Sequence, residues 1–375
     1  MSYWRIEPRD PVRFGDGRSL TAAAFPSPSM TLPWPSTLAG FIRHRAGTTA
    51  AGWSLTEAAA KAIAVAGPYL LQQSDDGRWS PCFPAPLDAA WHGSDGISTR
   101  RRLVPRPLPS GTMSDLSTLE LLGFAKAPEA NPGKAQGGPR FWHWTALERW
   151  LVGPSDEQSF REAELAELGV KDLDRDRRIH VGMEPGRRTA EEGKLFASDA
   201  TSFTRRADVA GRFSVERFAI GVDVGDLPTG AKLENGVGAL GGERRPSIVR
   251  QQEESIFPSM PRQLGEALRN TRRLRVVLAT PAIFAAGDMP SAALCGGARV
   301  YAARVDRPQS VSGWDMATNA PKQVRRMAPA GSVFWLEFPE GTDAAAWAAA
   351  NWGACLSDNE QDRLDGFGRI FVGVA

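Results

Sequence analysis

Five consecutive residues, Gly241-Gly242-Glu243-Arg244-Arg245, carry the most explicit chemistry in the chain. Two glycines leave backbone N–H groups uncovered, and each guanidinium that follows offers a planar fork of donors that matches a phosphate. The same residues suit a plain hairpin turn, so both readings stand at this level. A helix expected to open at Ser36-Thr37 would present unbonded amides and the positive end of a helix dipole to an anion, with Arg43 and His44 further along. Leu38, Phe41 and Ile42, at i, i+3 and i+4, give that helix a buried stripe, and packing alone is an equal alternative. More cationic positions fall at Arg187-Arg188-Thr189, in a loop after an expected strand, and at Lys322, Arg325 and Arg326. The Gly331-Ser332 turn after them reads as a fold requirement first and a contact second.

General acid–base chemistry would fall to histidine. Among His44, His92, His143 and His180, only His44 lies on an expected helix beside cations that could steady a pentavalent phosphate, as a metal-independent ribonuclease requires. It has no assured acid partner in the sequence. Asp10, Asp16 and Asp315 would ligate a metal only if the fold gathered them, and each suits a turn cap better. Cys82, Cys295 and Cys355 form no CxxC pair and no Cys/His cluster. Neither a metal nor a cofactor is implied.

Composition narrows the partners. In 375 residues, 45 Lys and Arg stand against 43 Asp and Glu, a net +2 that excludes a histone-like polycation. Only seven of the cations are lysine, and arginine's flat fork suits phosphate contact and base stacking, as RNA binding needs. Codon usage in a GC-rich genome produces the same bias. The 42% hydrophobic content suffices for two or three cores. No apolar run reaches the length of a membrane span, and the opening residues are charged, so the expectation is a soluble, cytoplasmic protein.

The elements that would position these groups are short, because 38 glycines and 28 prolines punctuate the chain. The patterns predict a strand over 3–7, the helix at 36–44, a helix over 55–66 and a strand over 68–71. Residues 81–139, with Arg100-Arg101-Arg102 and Arg106, read as inserted loops. Helical spacing at Leu147, Trp150 and Leu151 and over 157–168 follows, with Trp142, Trp144 and Trp150 read as core or interface. Strands are expected over 179–183 and twice within 202–223, where Phe213, Val215, Phe218 and Ile220 are core candidates. A glycine-rich loop over 236–245 then leads to an edge strand at 246–250. After a boundary in 262–273, strands at 274–278, 299–305, 333–338 and 370–374 and a helix at 343–352 complete the pattern. The fold class is α+β: two ferredoxin-like (RRM-like) domains, 1–262 and 263–375, with a long, partly helical insertion near 81–178 in the first.

An ordered set of motifs resembles one protein family. Pro8-Arg9-Asp10, Phe14-Gly15-Asp16-Gly17-Arg18 and Pro35-Ser36-Thr37-Leu38-Ala39-Gly40-Phe41-Ile42-Arg43 look like the opening of the RAMP superfamily of CRISPR effector complexes. Val181-Gly182-Met183, the run from Arg187 to Phe196, Leu240 to Arg245, Thr280-Pro281-Ala282-Ile283-Phe284, Gly313-Trp314-Asp315, Pro321-Lys322 and Pro329 to Phe334 follow in the order of its Cmr (type III-B) third-subunit branch. The resemblance implies a non-catalytic subunit with two ferredoxin-like domains that holds the 5′ tag of the CRISPR RNA. It also implies contacts with the large polymerase-like subunit and with backbone RAMP subunits, and no membrane. The alternative in the same superfamily is a metal-independent CRISPR RNA-processing endoribonuclease.

Overall fold

In a computed structural model of the chain, the structure describes residues 1–15, 29–94, 96–111, 119–128, 132–209, 212–315 and 319–375. They form a mixed α/β protein of mostly antiparallel strands with few helices, grouped into two compact units. The first comprises Met1–Trp79, Leu173–Ser255 and Ser310–Arg325, and the second Ser80–Asp172, Ile256–Gln309 and Arg326–Ala375. This grouping cuts the chain more often than the single boundary at 262/263 read from the sequence. Asp16, Gly17 and Arg18 lie outside the described residues.

The first unit is built on strand β1, Ser2–Pro8, whose Trp4, Ile6 and Pro8 alternate inward. Helix α1, Pro35–Gly47, follows it, then β2, Val65–Gln73, β3, Arg212–Val224, β4, Gly236–Leu240, and β5, Arg245–Gln252. These five strands run side by side in the order β2-β3-β1-β5-β4, each pair antiparallel, with Ile6 opposite both Ile220 and Val249. Helix α1 lies against β2 and buries Leu38, Ala39, Ile42 and Ala46. It starts at Pro35, with Trp34 as the N-cap and no side-chain cap, so the expected cap at Ser36 or Thr37 is corrected. Proline at the first helical position has a fixed φ and no N–H to leave unbonded, which lets it start the helix one residue early. Residues 246–250 form an interior strand, because 236–240, read as loop, pairs outside them. Val215 is exposed, since there β3 pairs only with Thr204–Val209 in a two-stranded ribbon, while Phe218 and Ile220 are buried.

In the second unit, β6, Arg273–Leu278, β7, Arg299–Arg304, β8, Val333–Glu337, and β9, Ile370–Val374, form a sheet of order β7-β8-β6-β9. Leu274, Val276, Leu278, Phe334, Leu336, Ile370 and Val372 fill one face. Val277, Trp335 and Phe371 are equally buried on the other, which explains the unbroken apolar runs in these strands. Helix α2, Trp144–Val152, covers β9, and Phe371 stacks on Phe257 at 4.5 Å between ring centroids. Residues 81–139 are not loops: Trp79–Pro84, Ala89–Ser94, Ile97–Arg106, Leu121–Phe124 and Lys134–Ala135 are strands. Residues 157–161, read as helix, form the strand Glu157–Arg161 against Ile97–Arg106, and only Glu162–Leu168 is helical. Cross-strand pairing decides this: Glu157 meets Arg101 as an ion pair and Phe160 is buried, which outweighs helix propensity.

On β8, Glu337 accepts hydrogen bonds from Arg299 of β7 at 2.7 Å and Arg273 of β6 at 2.9 Å. These donors, Arg299 first, hold the Glu337 carboxyl below its ordinary pKa. A depressed carboxylate stabilises above its unfolded pKa and loses that contribution as pH falls through the folded value. Glu337→Gln is therefore expected to lower the melting temperature at neutral pH and to converge with the parent chain under acid, as thermal melts across that range would show.

Candidate functional site

Three segments of the first unit converge on one cleft. The chain at 12–15 is tied to Thr201 by reciprocal Val12–Thr201 backbone hydrogen bonds of 2.9 and 2.8 Å. Ser29 joins it, accepting at Oγ from the Phe14 N–H at 3.0 Å, and the Met30 N–H donates to the Phe14 carbonyl. Arg175 fixes the far side by donating to the Ser29 carbonyl and to Thr31 Oγ1, with Asp199 nearby at 3.7 Å. Helix α1 supplies the second wall and the β4–β5 hairpin the third.

Close packing of helix on hairpin requires a missing side chain. A Cβ on Gly238 would stand 2.7 Å from Cζ of Phe41, so that glycine makes room for an aromatic ring. Arg45, next on the helix, donates to the carbonyls of Val237 and Glu234 and locks helix to strand, and burial draws its guanidinium pKa down. At the turn, Gly241 takes φ +78°, open to glycine and strained for other residues, and Arg244 takes φ +53°. The Gly242 N–H donates to the Arg13 carbonyl at 3.0 Å, and the Arg244 N–H to the Gly241 carbonyl at 3.1 Å.

The resulting cavity measures about 430 Å³ and is lined by Arg13, Phe14, Gly15, Met30, Thr37, Phe41, His44, Ala239, Leu240, Gly241 and Gly242. That size and lining, rings with one guanidinium and no carboxylate among the described residues, suit an anionic ligand bearing a flat ring. Thr37, His44, Gly241 and Gly242, far apart in sequence, meet here. The sequence model of the family described as CRISPR-associated protein (Cas_Cmr3) matches residues 4–375. The chain belongs to this family. Among curated proteins none matches. A solved chain from "Cryo-EM structure of the Type III-B Cmr-beta bound to cognate target RNA" is similar at 16% identity and TM-score 0.47, covering 89% of this chain and 86% of that one. A second, from the same assembly with AMPPnP in state 1, gives 14%, 0.46, 89% and 86%.

The remaining expected contacts of this Cas_Cmr3 chain divide by their present partners. Ser36 sits on the first turn of α1 outside the cavity lining, and the Thr37 N–H already donates to the Trp34 carbonyl. Arg43 turns away, donating from Nε and a terminal nitrogen to the Ile63 carbonyl at 3.2 and 2.8 Å. Arg245 is paired with Glu243, whereas Arg244 is exposed and unpaired among the described residues. Arg187 and Arg188 lie exposed on the turn of the hairpin Arg175–Glu184/Thr189–Thr201, which Thr189 rejoins. Lys322 is exposed, with its N–H on the Gly313 carbonyl, and Arg325 is half-buried.

In the second unit Arg326 is exposed, while Gly331 donates to the Leu278 carbonyl and accepts from the Leu87 N–H. Ser332 is fully buried with Oγ bonded to the Pro329 carbonyl, a structural use. The basic run is also spent on structure. Arg100 is buried over the rings of Trp150 and Trp142, and burial lowers its pKa to about 10, while Arg101 and Arg102 face Glu157 and Asp156. Trp142 and Trp150 are core, and Trp144 is half-buried. Sequence reasoning missed Arg13, Phe14 and Met30 as lining. The signal for Phe14 was its place in the motif beside Gly15, and Arg13 immediately precedes that motif. Among the described residues no three His, Cys, Asp or Glu side chains gather to hold a metal, and no helix is long and apolar enough to cross a membrane.

Proposed function

We propose that this chain is the RNA-binding third subunit of a type III-B CRISPR effector complex, holding the 5′ tag of the guide RNA in the cleft between α1 and the β4–β5 turn. The observation that carries the reading is the meeting of Thr37, His44, Gly241 and Gly242 around one cavity with Arg13. Membership of the RAMP superfamily, with ferredoxin-like domains at 1–262 and 263–375, is supported by the sheets. With the outermost strand β4 left out, the orders β2-β3-β1-β5 and β7-β8-β6-β9 both place second, third, first and last strands side by side, the strand order of that fold. The large polymerase-like subunit and backbone RAMP subunits are its proposed neighbours in a cytoplasmic assembly.

The subunit positions RNA without cutting it. A second reading, a metal-independent ribonuclease, draws on His44 in the cleft wall. Its ring is stacked on Trp53 and bonded to no carboxylate among the described residues. Incubation with repeat RNA in chelator is expected to give no 2′,3′-cyclic phosphate ends, and a product lost on His44→Ala would establish the second reading.

Binding has its own test. If the tag places about four phosphates on cationic groups, the slope of log affinity against log salt should be about −3, near 0.7 per contact on a single strand. Arg244→Ala should flatten it by about 0.7, one contact's worth, and Arg245→Ala by less, because Glu243 already holds Arg245. Equal slopes in the parent chain and Arg244→Ala would remove that turn from the RNA path.

A further inference from the structure

Helix α1 does not end at the cleft. A miniature hairpin, Thr48–Thr49 paired with Gly52–Trp53, folds directly off its last turn. Every residue from 48 to 54 is exposed, so this hairpin contributes little to any core. It nevertheless carries an indole, Trp53, which is 51% exposed. The placement is specified on several sides. Ser54 donates twice to the Gly47 carbonyl, from N at 2.8 Å and Oγ at 2.9 Å, and Thr48 Oγ1 donates to the His44 carbonyl at 2.6 Å. The six-membered edge of the indole rests on Gly47, where a Cβ would lie 2.8 Å from Cζ3. Held there, the indole lies 14° from parallel to the His44 imidazole, with centroids 6.2 Å apart. His44 in turn lines the cleft.

We infer that Trp53 and His44 form a stacking shelf that extends the cleft and receives an unpaired nucleobase of the bound RNA. The inference rests on the tag-binding reading and adds a residue and a contact type to it. Two near-parallel rings present a flat, apolar surface whose shape fits another flat ring. Arg13 lines the same cleft as His44, so a strand seated there can place a base on the shelf while its backbone meets a cation. The stacking is tolerant of base identity, because every base has a π face.

The test uses the assembled complex containing this chain and guide RNA with 5-iodouracil at each tag position in turn. Irradiation is expected to attach one tag position to the tryptic peptide 46–61, at Trp53. Trp53→Ala should reduce yield of that adduct and tag affinity by about tenfold, within the range for one stacked base, and Trp53→Phe should restore most of both. Adducts confined to 13–15 or 239–242, with Trp53→Ala binding as the parent does, would overturn the shelf and leave the cleft reading intact. No adduct anywhere on the first unit would overturn both. Recovery of 46–61 joined to a neighbouring subunit would assign the shelf to a protein contact and refute the inference.

Discussion

Asp88→Ala is expected to cost about 3–5 kcal/mol, the penalty for leaving a buried charge without its partner, out of a total stability of about 5–15 kcal/mol. Asp88 and Arg275 are both fully buried in the second unit and form an ion pair. The other carboxylate oxygen accepts from Trp150 Nε1 at 2.9 Å, and Arg275 donates to the Trp150 carbonyl, so the three residues close a ring of contacts. The guanidinium also lies 5.6 Å from the Trp150 ring, and Arg100 lies 4.6 Å from the same ring. Burial pulls the Arg275 pKa down and Asp88 opposes that pull. Without the carboxylate, one cation is stranded in a dry core beside a second.

The double variant Asp88→Leu/Arg275→Met separates charge from packing. Removing both charges should recover most of the loss, with a deficit of about 1–3 kcal/mol remaining because the Trp150 N–H then has no acceptor. Urea denaturation of the full chain measures all three proteins. A loss of only about 0–1 kcal/mol in Asp88→Ala, as for a surface pair, would show that this ring of contacts does not hold the unit together.

Arg275 also shows where sequence reading succeeds and where it stops. The strand around it is legible, since Leu274, Val276, Val277 and Leu278 form an apolar run, and the flanking strands of the second sheet are found within a residue or two. The arginine's partner is 187 residues away, in a stretch that prolines and glycines make look like loop. Local pattern carries no record of such a pairing. Strand Glu157–Arg161 was hidden for the same reason, because Glu157 and Gln158 favour helix locally and the pairing with Arg101 across the sheet makes the extended form preferable.

Part of the cleft was legible as well. Gly241, Gly242, Thr37 and His44 were visible as groups able to meet an anion, and the fold brings all four together. Arg43 was indistinguishable from His44 in sequence, yet one residue along a helix turns a side chain through about 100°, and that sends its guanidinium to the Ile63 carbonyl. Trp53 could not be assigned from sequence either, since its role depends on Gly47 leaving room for the indole edge.

The two glycines of the turn make opposite predictions. At Gly241, φ +78° disfavours any side chain, and a Cβ would stand 2.4 Å from Val12 Cγ1 and 2.8 Å from the Arg13 carbonyl oxygen. That oxygen is the acceptor for the Gly242 N–H, so Gly241→Ala must displace the segment that carries Arg13 and Phe14 into the cleft. The expected cost is about 1–3 kcal/mol of stability, with a loss of tag-RNA affinity of about tenfold or more as the wall moves. At Gly242 the nearest atom to a Cβ is the Arg13 oxygen at 3.8 Å, and no left-handed φ is required, so Gly242→Ala should change stability and binding by less than about 0.5 kcal/mol. If amide exposure alone governed RNA contact, both glycines would be equally sensitive in filter binding. If geometry of the wall governs it, only Gly241 is, and equal losses in the two variants would refute the wall as the origin of affinity.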